Sequence, residues 1–65
     1  MTPKQVRVMS AYFEATERLA DATDDLIKAY AAYRGTCPGA CAQFEEVAAF
    51  RLKVYRQARA DYESL

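Results

Sequence analysis

The sequence predicts an all-α fold: an antiparallel two-helix hairpin that pairs with a second copy into a homodimeric four-helix bundle. Three observations carry this prediction. Apolar residues recur at alternating spacings of three and four along most of the chain, the period of helices that each bury one stripe. No Gly or Pro interrupts residues 4–34, whereas Gly35, Pro38 and Gly39 cluster just after them, which marks one turn between two long elements. The chain has 65 residues, one domain (1–65) that is too short to bury a large core without a staple, a metal or an oligomer.

The first helix is predicted over about residues 3–34. Thr2 can cap it, Pro3 suits the first helical position, and Gln5 completes a Thr-x-x-Gln capping box. Met9, Tyr12, Thr16, Leu19, Thr23, Leu26, Tyr30 and Tyr33 follow the three–four rhythm, and Val6, Phe13, Ala20 and Ile27 widen the stripe. That is the broad pattern of a bundle helix rather than a narrow two-stranded seam. Arg7, Ser10, Glu14, Glu17, Asp21, Asp24 and Lys28 take the opposite, solvated face. Gly35 is the expected left-handed stop, and the turn falls at about 35–38.

The second helix is predicted over about residues 39–64. Phe44, Val47, Ala48, Val54, Tyr55, Ala58, Tyr62 and Leu65 form its apolar face, flanked by Phe50 and Leu52. Glu45 and Glu46, near its start, complement the helix dipole. A short turn makes the helices antiparallel neighbours. With the turn centred near Cys37, residues whose numbers sum to about 74 face each other, and the acidic stretch Glu14–Asp25 is set beside Arg51, Lys53, Arg56 and Arg59. Charge complementarity of that kind disfavours shifted registers.

Each apolar arc is wider than the one contact line that two helices share, so a further chain is expected to cover the surplus. Closed two-fold dimers are the commonest solution. The expected dimer and core residues are Met9, Tyr12, Phe13, Leu19, Leu26, Ile27, Phe44, Val47, Val54, Tyr55 and Tyr62.

Composition narrows the function classes. Nine basic residues balance nine acidic ones, so no long-range field draws the chain to nucleic acid or anionic lipid. The longest uninterrupted apolar run, Ala29 to Tyr33, is far short of a membrane span. Met-Thr-Pro-Lys-Gln has no apolar stretch behind it, unlike a signal peptide, so a cytoplasmic location with reduced thiols is expected. Cys37-Pro-Gly-Ala-Cys41 offers two thiols where zinc needs four ligands, and the chain has no His. The redox Cys-x-x-Cys spacing is missed by one residue. Two small, half-buried thiols at a turn are the expected reading, with no metal and no cofactor. Adjacent acids such as Asp24-Asp25 and Glu45-Glu46 diverge by about 100° on a helix, and no nucleophile–base pair or phosphate-binding Gly loop is present. No catalytic residue is assigned, and the chain is not expected to be an enzyme.

Four residues are the candidates for partner binding. Arg51 falls at the centre of the second helix's apolar face, where an unpaired guanidinium is costly. It either pairs with a carboxylate or carbonyl in the dimer and fixes register, or anchors a partner at an exposed groove. Tyr30, Tyr33 and Arg34 cluster at the turn end, a composition suited to protein contacts or to capping the core. Thr16 and Thr23, which fall on the first helix's apolar stripe, are expected to satisfy their hydroxyls against the preceding helical turn.

In size, hairpin plan and dimeric bundle, the chain resembles the Rop type of plasmid copy-number protein, a resemblance that implies binding to paired RNA loops. It departs from that type on the wet face of the first helix, where Glu14, Glu17, Asp21 and Asp24 stand in place of a basic or amide-rich surface. In size, plan, near-neutral charge and lack of catalytic groups it is also similar to small phage-encoded host-takeover proteins of the anti-quorum-sensing anti-activator type. That resemblance implies a homodimer in the host cytoplasm that inhibits a host regulator or enzyme by occluding its surface. The leading expectation is therefore a protein-binding modulator whose partners are itself and a larger host protein. A nucleic-acid-binding hairpin, resting on Arg51, Lys53, Arg56 and Arg59, and a structural assembly module are the alternatives.

Overall fold

The structure, a computed structural model, describes residues 1–33, 39 and 41–65. It is an all-helical hairpin of α1 (Pro3–Tyr33) and α2 (Ala42–Glu63), packed side by side into a rod with Cα extents of 51 × 14 × 13 Å. The start of α1 is built as its sequence predicts. The Thr2 backbone N–H donates to Gln5 Oε1 at 2.9 Å, and the Gln5 N–H donates back to Thr2 Oγ1 at 3.2 Å, so the capping box closes in both directions. Helix α2 begins at Ala42, three residues later than expected. Gly39 and Cys41 lie in a turn closed by the Ala42 N–H on the Gly39 carbonyl at 3.2 Å, and regular helix bonding starts with the Glu45 N–H on Cys41 O at 2.9 Å. At the other end Ser64 folds both its N–H and its hydroxyl back onto the Ala60 carbonyl, at 3.1 and 2.9 Å. The expected turn at 35–38, with its Gly35 stop, lies outside the described residues.

The helices meet along a line in which Ala15, Ala22 and Ala29, spaced every seventh residue, are buried. Half-buried Tyr12, Leu19 and Leu26 alternate with them, and Val8 extends the line toward the N-terminus. Helix α2 answers with Cys41, Phe44, Ala48, Arg51, Tyr55 and Ala58, all buried or half-buried at spacings of three and four. Small residues on a contact line let two backbones approach closely, so that dispersion contacts are made along the whole length.

This seam differs from the predicted one by a rotation of α1. The sequence pattern puts Thr16, Thr23 and Tyr30 on the stripe, but the structure turns these outward and seats Ala15, Ala22 and Ala29 in their place. Thr16 and Thr23 then satisfy their hydroxyls locally, as expected, donating to the Tyr12 and Leu19 carbonyls at 2.8 Å each. Close helix approach favours alanine over a hydroxyl-bearing, β-branched residue, and that decides the rotation. Of the residues expected in the core or dimer, Met9, Tyr12, Leu19, Leu26, Phe44 and Tyr55 are half-buried, whereas Phe13, Ile27, Val47, Val54 and Tyr62 are exposed on the single hairpin. Cys41 carries a free, buried thiol, and Cys37 lies outside the described residues.

Aromatic stacking pins the open end of the rod. The Tyr12 ring stacks on Tyr62 at 4.9 Å between centroids, approaches Tyr55 at 5.8 Å and meets the edge of Phe13 at 6.0 Å. Tyr12 with Tyr62, like Tyr30 with Glu45 near the turn, keeps the predicted register, with residue numbers summing to 74 and 75.

If the alanine line sets the helix separation, Ala22→Leu should cost about 1–3 kcal/mol by overpacking. Asp24→Ala on the outer face should stay within about 0.5 kcal/mol. Urea unfolding followed by circular dichroism measures both, and an unchanged midpoint for Ala22→Leu would refute the close contact.

Candidate interaction surface

A hairpin has two broad faces, and here they differ in chemistry. The row beside the seam on one side of α1 is Met9, Thr16, Thr23 and Tyr30, backed by Val6, Phe13, Ala20 and Ile27. None of these eight residues is charged. Phe13 and Ile27 are 55% and 60% exposed although each is a large apolar side chain. The other side of α1 carries Arg7, Glu14, Arg18, Asp21, Asp25 and Lys28.

Helix α2 reverses the arrangement. Its Val47 and Val54 are exposed on the charged side of α1, and Phe50 follows them further round α2, in a hollow with Ala49, Lys53, Val54 and Gln57. Two grooves between the helices establish this: Val54, Gln57 and Asp61 line one with Arg7 and Ala11, and Val47 and Arg51 line the other with Arg18, Asp21 and Asp25. On the uncharged side of α1 stand Glu45 and Glu63, as their approach to Tyr30 and to Met9 shows, and Leu52 and Arg59 follow Glu45 at spacings of seven along the same row of α2. Apolar stripes therefore reach solvent on both broad faces, one from each helix.

The same arrangement explains the ion pairs. Acidic and basic stretches on neighbouring helices were expected to pair across the seam. Among the described residues, however, the two ion pairs are Glu14–Arg18 and Arg59–Glu63, the latter at 2.9 Å, each within one helix. The reason is facial. Glu14, Asp21 and Asp25 flank one broad face, while Arg56 and Arg59 flank the other, so the charges match in level but not in direction. Arg51 is the basic residue of α2 brought beside acids of α1. It is half-buried in the seam, shares a groove with Asp21 and Asp25, and holds its guanidinium carbon 5.7 Å from the centre of the Phe50 ring.

At the turn end Tyr30 and Tyr33 are both exposed, and Arg34 lies outside the described residues. The Glu45 carboxylate stands beside the Tyr30 hydroxyl and favours its protonated form, and this, with partial desolvation, raises the phenol's pKa above its ordinary value. Tyr12 is raised too, first by its hydrogen bond with Tyr55 and then by desolvation. The structure brings Tyr30 and Glu45 together, and sets Arg51 apart from them along the seam, beside Asp21 and Asp25. Among the described residues no group of three or more His, Cys, Asp or Glu side chains could hold a metal ion, and no helix is long and apolar enough to cross a membrane. The every-seventh alanines were a legible signal that the pattern of large side chains concealed. The facial split of the apolar residues follows from the rotation those alanines impose.

No protein family, no curated protein and no solved structure matches the chain.

The Tyr30–Glu45 contact makes a pH prediction. A phenol whose pKa is raised on folding contributes stability that is complete below its unfolded value, 10.0, and is lost as pH rises through the folded value. Melting temperature should therefore fall as pH rises past 10.0, and less steeply in Tyr30→Phe than in the parent. Identical slopes would show that the Tyr30 contact adds nothing.

Proposed function

We propose that this chain is a homodimerising helical hairpin that binds a larger protein and modulates it by covering part of its surface. The carrying observation is the distribution of exposed apolar side chains. A symmetric dimer formed through one broad face leaves the stripe on the other face available to a partner of different kind.

Area supports the need for another chain. The hairpin exposes 5160 Å², against about 4,200 Å² for a compact protein of its 7.3 kDa mass. The excess, on the order of 1,000 Å², is comparable to the ~800 Å² that one partner buries in a standard interface. Folding as a single hairpin removes only about half of the unfolded chain's surface, where roughly 60% is usual at this size. Among the described residues no side chain is fully buried, and the buried apolar residues are four alanines and a cysteine.

In this reading the protein acts by occlusion, and the expected targets are those of the host-takeover proteins it resembles: a host regulator or enzyme. Phe50, with Val47 and Val54 beside it, is the centre of the partner-binding stripe, and Arg51 is placed to add a guanidinium contact at its edge. Nucleic-acid binding is the weaker reading. Lys53, Arg56 and Arg59 are exposed, but Arg59 is engaged by Glu63 and the chain has no net charge.

Coupled folding and association make the melting temperature rise with protein concentration. Phe50→Asp should leave that dependence and the dimer mass intact while abolishing capture of a partner by the immobilised protein. A folded species of 7.3 kDa whose melting temperature ignores concentration would overturn the reading. So would a Phe50→Asp variant that captures the same protein as strongly as the parent.

A further inference from the structure

Resting on the homodimer reading, we propose that the second copy docks on the face carrying Phe13, Ile27 and Leu52. In this dimer α1 lies antiparallel on the partner's α1, and α2 lies antiparallel on the partner's α2. The two-fold axis crosses the rod at the level of Ala20 and Leu52.

Charge complementarity selects this face and this axis. The row of α2 beside the seam reads Glu45, Leu52, Arg59, with opposite charges seven residues on either side of a leucine. An antiparallel two-fold pairing about Leu52 brings Glu45 of each copy opposite the other copy's Arg59, twice per dimer. Arg59 then lies between Glu63 of its own helix, already 2.9 Å away, and the incoming carboxylate. On α1 the same operation acts on an uncharged surface. Phe13 and Ile27 lie seven residues on either side of Ala20, so each Phe13 meets the other copy's Ile27. Ala20 at the axis admits close approach of the two backbones. The hairpin's own register, fixed by Tyr12 with Tyr62 and Tyr30 with Glu45, sets Leu52 opposite residues 22–23, two to three residues from Ala20, so the axis that passes both is tilted across the rod and the two hairpins cross at an angle.

Size agrees. One broad face spans 51 by 14 Å between Cα extremes, roughly 700 Å² before side chains are added, close to the ~800 Å² per partner of a standard interface. The alternative two-fold axis, running along the rod, sets α1 against the partner's α2 at equal levels. It would leave Arg59 on the uncharged row of α1 with no acid of the partner opposite, an arrangement that desolvates charge without compensation. The face carrying Phe50 is a poorer site for a second copy, because there the partner would have to cover Glu14, Asp21 and Asp25 as well.

The test is site-directed cross-linking in a Cys37→Ser, Cys41→Ala background, with a charge-exchange cycle beside it. Under mild oxidation Ala20→Cys should convert to a covalent dimer, whereas Lys53→Cys, on the outer surface, should not. Glu45→Arg and Arg59→Glu should each weaken self-association roughly tenfold in sedimentation equilibrium, and the double variant should associate more tightly than either single one, short of the parent because it lacks the Tyr30–Glu45 and Arg59–Glu63 contacts within the hairpin. A chain that dimerises but cross-links through Phe50→Cys and not Ala20→Cys would overturn the proposed face while leaving the homodimer standing. A 7.3 kDa species at every concentration would remove both. A double variant no tighter than either single one would overturn the Glu45–Arg59 pairing and with it the axis.

Discussion

Two helices touch along one line, and what lies on that line determines what is left for solvent. Here the line on α1 is built on alanine at every seventh position. Small contact residues draw the helices together, but they bury little area per residue, so the seam confers shape more than stability. The larger apolar side chains, displaced from the line, are left on the outside of the rod. Every distinctive property of the surface follows from that displacement.

One consequence is that the hairpin is two-faced. Rotating α1 to seat its alanines carries Phe13 and Ile27 to one broad face, while α2, seated on Phe44, Ala48, Tyr55 and Ala58, carries Val47, Phe50 and Val54 to the other. A protein with a single apolar face has one natural partner surface. A rod with two presents apolar side chains in two directions at once. The charges follow the same division: acids crowd the face on which α2 is apolar, and arginines of α2 flank the face on which α1 is uncharged.

Polar groups set register where apolar packing is too uniform to do so. An alanine line repeats every seven residues and tolerates a slip by one repeat. The stacking of Tyr12 on Tyr62 at one end and the approach of Glu45 to Tyr30 at the other do not tolerate it. Arg51, half-buried between Phe50 and the groove that holds Asp21 and Asp25, adds a third non-repeating feature near the middle.

The sequence by itself determined the two helices, their antiparallel pairing, the Thr2–Gln5 capping box, the register and the local bonding of Thr16 and Thr23. Each of these depends on periodicity or on contacts within one turn of helix, and such information is local. Only the tertiary structure decided which side of α1 meets α2. Hydrophobic periodicity weights large side chains most heavily and so aimed the stripe through Thr16, Thr23 and Tyr30, whereas the energy of two packed rods depends on how closely their axes approach, which favours Ala15, Ala22 and Ala29. The cross-helix salt bridges expected from matching charge levels fail for the same reason. Level along a rod can be counted in residues, but direction around it depends on a rotation that only packing settles.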